Sequence, residues 1–372
     1  MKNRQALCIG LLLALLFTVS SFAEPATDRA RKEAEQFFRR NDADKDGELS
    51  QSEFPERLKN LFKRIDTNKD GFIDLKEDTT FRAFRNQSRV SNAVPRLPNG
   101  IVASRDLKYA HIGEKSLLLD IYAPKKSGSS RPLIVWIHGG GWQSESKDRC
   151  PALRFLDQGY VVASINYRLS HEAVFPAQIE DCKAAIRWLR ANAKRYHIDP
   201  DRIGVWGSSA GGHLVALLGT SGDVQDLEGT SDKTKHSSRV QAVCDFYGPT
   251  DLLQMDTHAL ASATFKHDAP DSPEAKLIGG PIQENRKKAD RANPIKYVSA
   301  DDPPFMIVHG DQDPLVPIHQ SQILYDALKK SGVDVKFHTV KGGQHGFGRN
   351  PEVDGLVDQF FQKYLQRVSK EE

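Results

Sequence analysis

Beyond residue 100, short runs of consecutive apolar residues alternate with longer stretches of helical period. Leu117 to Tyr122, Leu133 to His138, Tyr160 to Asn166, Ile203 to Gly207, Val240 to Tyr247 and Phe305 to His309 are apolar at most positions and Val335 to Val340 at half of them, whereas Ala177 to Tyr196 carries a helical repeat. A strand that is apolar on both sides must be covered on both sides. The pattern therefore predicts an α/β domain over 101–370, with a mostly parallel sheet and helices on both faces. Between 28 and 78 the apolar residues Phe37, Phe38, Leu58, Leu61, Phe62 and Ile65 follow helical spacing around two acidic loops, which predicts a small all-α domain. From Thr79 to Gly100 the chain turns polar and contains Pro95 and Pro98, so 79–100 reads as a linker.

At the N-terminus, Lys2 and Arg4 precede an apolar run from Ala6 to Phe17, and Ser21-Phe22-Ala23 then supplies small residues. The run is about 12 to 14 residues, short of the roughly 20 a spanning helix needs. Residues 1–23 thus read as a secretory signal peptide cleaved near Ala23. The mature protein is expected to be exported, periplasmic or secreted, with no membrane span. A formal net charge of +3 argues against a nucleic-acid binder, and 39% hydrophobic residues argue against wholesale disorder. After signal removal three cysteines remain, Cys150, Cys182 and Cys244. They permit at most one internal disulfide, and Cys182 and Cys244 sit in apolar stretches as small hydrophobes would.

The acidic loops are a duplication. Asp42, Asp44, Asp46, Gly47, Ser50 and Glu53 recur 24 residues on as Asp66, Asn68, Asp70, Gly71, Asp74 and Glu77. Oxygen ligands at loop positions 1, 3, 5 and 9, glycine at 6 and glutamate at 12 suit a hard cation that needs six or seven oxygens on a curling backbone. The backbone carbonyls at position 7, those of Glu48 and Phe72, complete each set, and Leu49 is expected to pair with Ile73 between the loops. The spacing resembles an EF-hand pair and implies two structural Ca2+ sites. Extracellular modules of this kind bind at about 10⁻⁴–10⁻³ M, so a stabilising or docking role is expected rather than sensing.

Three further segments carry chemistry. Gly207-Ser208-Ser209-Ala210-Gly211 follows an apolar run and precedes a helical pattern, the setting of a strained strand-to-helix turn that exposes a nucleophilic serine. Ser209 holds the central position, with Ser208 as the weaker alternative. His138-Gly139-Gly140-Gly141-Trp142 follows another run, and bare amides there could crowd a developing oxyanion; Gly140, Gly141 and Ala210 are the candidate donors. Asp313 and His345 each follow a later run. Strand ends would thus deliver serine, acid and imidazole in the order Ser209, Asp313, His345, with Asp311 the alternative acid, expected instead to bond its turn. His138, His213 and His309 read as structural, and His319 and His338 have no motif context.

Together these residues resemble an α/β-hydrolase of the esterase branch, with a His-Gly-Gly-Gly-Trp loop like that of bacterial feruloyl and acetylxylan (BD-FAE-like) esterases. Asn166-Tyr167-Arg168-Leu169 and Phe246-Tyr247-Gly248-Pro249-Thr250-Asp251 are further echoes. The resemblance covers about 100 to 370 and implies hydrolysis of carboxylic esters, small or on polysaccharide, through an acyl-enzyme, with no catalytic cofactor. The segment Leu253 to Asn293 is an insertion of the kind that covers an acyl pocket. A serine peptidase or amidase would use the same three side chains, and a noncatalytic calcium-dependent binding protein is the reading from a different class.

Overall fold

Two acidic loops, each closed by its own glutamate, organise the N-terminal unit. The computed structural model describes residues 26–82, 97–125, 128–230, 236–263, 265–348 and 350–366, and the chain divides into compact units at Pro95/Arg96. The expected signal peptide, 1–23, lies outside the described residues, as does most of the expected linker. In the first unit α1 (Ala26–Asn41) leads through a loop to β1 (Glu48–Ser50), and α2 (Lys59–Ile65) leads through a second loop to β2 (Phe72–Asp74). The helix α3 occupies 75–82. It therefore runs four residues into the stretch read as linker, because Asp78 pairs with Arg82 one turn on at 2.6 Å and the Thr80 hydroxyl donates to the Lys76 carbonyl. β1 and β2 are antiparallel with Leu49 opposite Ile73. Both side chains are fully buried against Phe38, Phe54, Phe62 and Ile65, each contributing about 1.5–3 kcal/mol of burial.

The second unit is an eight-stranded sheet. Its strands are β3 (Ile101–Ile112), β4 (Lys115–Pro124), β5 (Arg131–Ile137), β6 (Val161–Ile165), β7 (Ile198–Ser208), β8 (Ala242–Phe246), β9 (Phe305–Gly310) and β10 (Val335–Val340). They lie in the order β10-β9-β8-β7-β5-β6-β4-β3. The six strands from β10 to β6 are parallel, and β4, antiparallel to both β6 and β3, is the one reversed strand of the sheet. Alternation sorts their side chains between two cores. Leu133, Val135, Ile137, Ile203, Val205, Val243 and Ile307 face α4 (Ala177–Ala191), α5 (Ala210–Thr220) and α8 (His319–Lys330). Ile134, Trp136, Trp206, Cys244 and Val308 face a 3₁₀ segment, Pro151–Gln158, and α9 (Pro351–Leu365). The expected layering is present.

β3 is an element the apolar runs did not announce. As an edge strand with one exposed side it interleaves Ser104, Arg105, Asp106 and Lys108 with apolar residues, and its register on β4 shifts twice. Cys150, Cys182 and Cys244 are all free and buried. Among the described residues, no helix is long and apolar enough to cross a membrane.

Candidate active site

The parallel strands end at one rim, and the turn from β7 to α5 fixes the geometry there. Gly207 and Gly211 meet backbone to backbone: a Cβ on Gly211 would collide with the carbonyl of Ile137, and one on Gly207 with that of Gly211. The turn is tight enough to force Ser209 to φ 56°, ψ −124°, a conformation rare for a residue with a side chain. Its amide is held by the Phe246 carbonyl at 2.8 Å. Ser208, the other candidate, is the last residue of β7, its backbone registered against Phe246 of β8.

Ser209 Oγ lies 3.0 Å from His345 Nε2, and His345 Nδ1 lies 2.8 Å from Asp313 Oδ2. A carboxylate oxygen only accepts, so the proton is on Nδ1 and Nε2 presents its lone pair to the hydroxyl. Asp313 Oδ1 accepts from the amides of Leu315 (2.8 Å) and Val316 (2.9 Å). Burial alone would raise the Asp313 pKa, but hydrogen bonds and charge from His309 and His345 outweigh it and hold the carboxyl below its ordinary range. Asp311 stands apart, accepting from the Gly342 amide at 2.7 Å. The three nominated side chains therefore meet, whereas Asp311, expected to bond its own turn, bonds the loop after β10 instead. Tyr247, itself at φ 43°, flanks His345 with ring centres 4.7 Å apart.

Beside the serine, the glycine loop presents bare amides. Gly140 has φ 85°, and a Cβ there would collide with the Ser144 carbonyl. The Tyr167 hydroxyl lies 3.0 Å from the carbonyls of both His138 and Gly139, and the Trp142 carbonyl accepts from the Ser170 amide (2.7 Å) and hydroxyl (3.1 Å). Among the described residues the amides of Gly140, Gly141 and Ala210 have no hydrogen-bond acceptor. The segment from Leu253 to Asn293 carries two short helices, α6 (Pro273–Ile278) and α7 (Arg286–Arg291). A Cβ at Gly141 would stand 3.4 Å from Pro273. A buried His267–Glu274 pair at 2.9 Å, and Asp256 bonded to the amides of His267 and Asp268, hold the segment in place.

The remaining histidines divide. His138 stacks on Tyr167, and His213 lies 2.7 Å from the Ala292 carbonyl; burial pushes both down to about 4. His319 stacks on His258, and His338 lies 3.9 Å from Glu352. His309, expected to be structural, lies 3.3 Å from Asp313 Oδ2. Sequence reasoning also gave no role to Tyr167, although it sits inside a segment already singled out.

In the N-terminal unit the two loops curl alike, with positive φ at Lys45 and Gly47 and again at Lys69 and Gly71. Glu53 Oε1 accepts from the Ala43 amide at 2.9 Å, and Glu77 Oε1 from that of Thr67 at 2.8 Å, which brings each position 12 back to its loop. Asp42, Asp44 and Asp46 offer oxygens within 4.8 Å of one another, and the buried Asp66 Oδ1 has no partner among the described residues. Crowded carboxylates and an orphaned acceptor fit a cation.

A family model described as BD-FAE matches residues 119–328, and one described as EF hand matches 34–56 and 58–77. The chain is 32% identical over 249 residues to Esterase LipQ of Mycobacterium tuberculosis, covering 65% of this chain but only 56% of that protein, little more than half its length. Among solved structures, a truncated carbohydrate esterase from gut microbiota shares 35% identity at a TM-score of 0.64, over 70% of this chain and 96% of that one. An acetyl ester-xyloside bifunctional hydrolase from Caldicellulosiruptor lactoaceticus shares 27% at 0.56, over 72% and 95%.

Beneath the serine turn, Asp245 of β8 pairs with Gly207 and is fully buried. Its Oδ1 accepts from the Gly248 amide at 3.0 Å, while Oδ2 has no partner among the described residues. Burial pushes the carboxyl up to about 7, the Gly248 amide opposing. Because the unfolded value is about 3.9, the stability this group contributes is full below pH ~4 and is lost as pH rises through 7. Asp245→Asn has no such loss. Its stability advantage over the wild type should grow between pH 4 and 7 to about 4 kcal/mol and then level off, read by denaturant unfolding at stepped pH. A difference independent of pH would contradict this.

Proposed function

This chain belongs to the BD-FAE family, and from that premise we propose that it is an exported serine esterase that removes acyl groups, acetyl or feruloyl, from polysaccharide. The observation that carries the reading is the continuous Ser209–His345–Asp313 hydrogen-bond chain beside three bare amides. Likeness to a carbohydrate esterase and to an acetyl ester-xyloside hydrolase supports the substrate class, and the N-terminal pattern of residues 1–23 supports export.

His345 Nε2 takes the Ser209 proton as Oγ adds to the ester carbonyl. The oxygen that gains the charge lies at the amides of Gly140, Gly141 and Ala210, whose dipoles are fixed before the reaction begins. The imidazolium, steadied by Asp313, returns its proton to the alcohol oxygen as the carbon–oxygen bond breaks. Water then loses a proton to His345 and attacks the acyl-serine, and the same proton restores the Ser209 hydroxyl as the carboxylic acid leaves.

Calcium bound in the N-terminal unit would neutralise the carboxylates of each loop. Asp42, Asp44, Asp46, Ser50 and Glu53 would hold one ion with the Glu48 carbonyl, and Asp66, Asn68, Asp70, Asp74 and Glu77 the other with that of Phe72. The role assigned to it is structural.

Ser209→Ala should lower kcat on p-nitrophenyl acetate by about 10⁴–10⁶-fold. Acetylated xylan or methyl ferulate should be turned over faster than aminoacyl p-nitroanilides, and the reverse order would favour the amidase reading. Chelation should lower the thermal midpoint of the N-terminal unit, since an ion at 100 times its Kd stabilises by about 2.7 kcal/mol. Calcium should restore the midpoint in the wild type but not in a Glu53→Gln, Glu77→Gln double variant. An unchanged midpoint would remove the structural role.

A further inference from the structure

We propose that His309 is a positioning residue for Asp313: held by β9 and by Ser321, it clamps the turn that carries the acid. The inference rests on the esterase reading above and adds to it a residue outside the Ser209–His345–Asp313 set.

Asp313 sits in an irregular turn past the end of β9, yet both of its oxygens are committed. Oδ1 takes the amides of Leu315 and Val316, and Oδ2 takes His345 Nδ1–H at 2.8 Å. His309 Nε2 lies 2.8 Å from the Val316 carbonyl and 3.3 Å from Asp313 Oδ2. The Val316 carbonyl can only accept, so the His309 proton is on Nε2. Nδ1 must then accept, and the Ser321 hydroxyl lies 2.7 Å away to donate. Ser321 is fully buried in the first turn of α8, where its neighbour Gln320 bonds the amides of Thr250 and Asp251 at 2.8 and 2.7 Å. The ring is thus anchored outside the acid turn, at Nδ1 by α8 and through its backbone by β9, which is itself paired on both sides, while Nε2 reaches into the turn at Val316.

Pinning the Val316 carbonyl keeps the amides of Leu315 and Val316 aimed at Oδ1, and the polarised N–H edge stays beside Oδ2. Without it the carboxylate could turn and give up either its backbone donors or His345. A triad acid serves by holding the tautomer and direction of its histidine. His345 works in both acyl transfer steps, so loosening Asp313 should slow both alike. A histidine that only filled core volume would be replaceable by another ring.

The test compares His309→Phe, His309→Gln and Ser321→Ala with the wild-type full-length chain on p-nitrophenyl acetate, with thermal midpoints. His309→Phe should lower kcat and kcat/KM by the same factor, about 10–100-fold, with KM unchanged. His309→Gln, whose amide can place an N–H near the position of Nε2, should recover most of that loss, and Ser321→Ala should lower kcat with no change in KM. Activity of His309→Phe within threefold of wild type, a loss carried by KM, or a Gln variant no better than Phe would overturn the proposal. Should His309→Phe fail to fold, wild-type kcat in Ser321→Ala overturns it on its own. Wild-type turnover that disappears in Ser209→Ala is the control that separates failure of this inference from failure of the esterase reading.

Discussion

The constraint on which the site depends is backbone strain at one serine. Holding Ser209 at φ 56° costs of order 1–3 kcal/mol and persists only because its surroundings over-determine it. Gly207 and Gly211 let strand and helix meet without intervening carbon, and Phe246 fixes the serine amide. The result is a hydroxyl at a strand end, with the Ala210 amide beside it at the start of α5. A relaxed turn would lose both the nucleophile's exposure and one donor to the oxyanion.

Parallel topology supplies the rest. β5, β7, β9 and β10 all point the same way, so the glycine loop, the serine turn, the acid turn and the histidine loop share one rim although 205 residues of chain separate Gly140 from His345. Buried polar side chains then brace these loops. Tyr167 holds the glycine loop by two carbonyls, His309 holds the acid turn, and the His267–Glu274 pair braces the segment whose Pro273 lies against Gly141. Each is buried, where an unsatisfied polar group is costly, so each fixes a single arrangement.

How much of this was legible in the sequence follows from which signals are local. Strands β4 to β9 could be read because burial on both faces makes their cores apolar, and the partly exposed edge strand β10 because Val335, Phe337 and Val340 punctuate it, whereas β3, wet on one side, mixes charge with hydrophobe and gave no run. Ser209, Gly140 and Gly141 could be read because glycines mark their turns, and the cation loops because their ligands recur at fixed spacing. Tyr167 could not be assigned a role, and His309 read only as structural, since a lone tyrosine or histidine carries no spacing and its partners, the His138 carbonyl and Asp313, are set by tertiary packing. The helical character of 79–82, inside the stretch read as linker, was hidden for a related reason: Asp78 and Arg82 pair along α3, a contact that composition alone conceals.

The most direct test of the account is the site of covalent capture. A diethyl p-nitrophenyl phosphate should inactivate the protein with one equivalent of p-nitrophenol released, and mass spectrometry of the digest should place the single diethylphosphoryl group on Ser209. An adduct on Ser208 or any other residue, or inactivation that leaves Ser209 unmodified, would contradict the claim that this strained serine is the nucleophile.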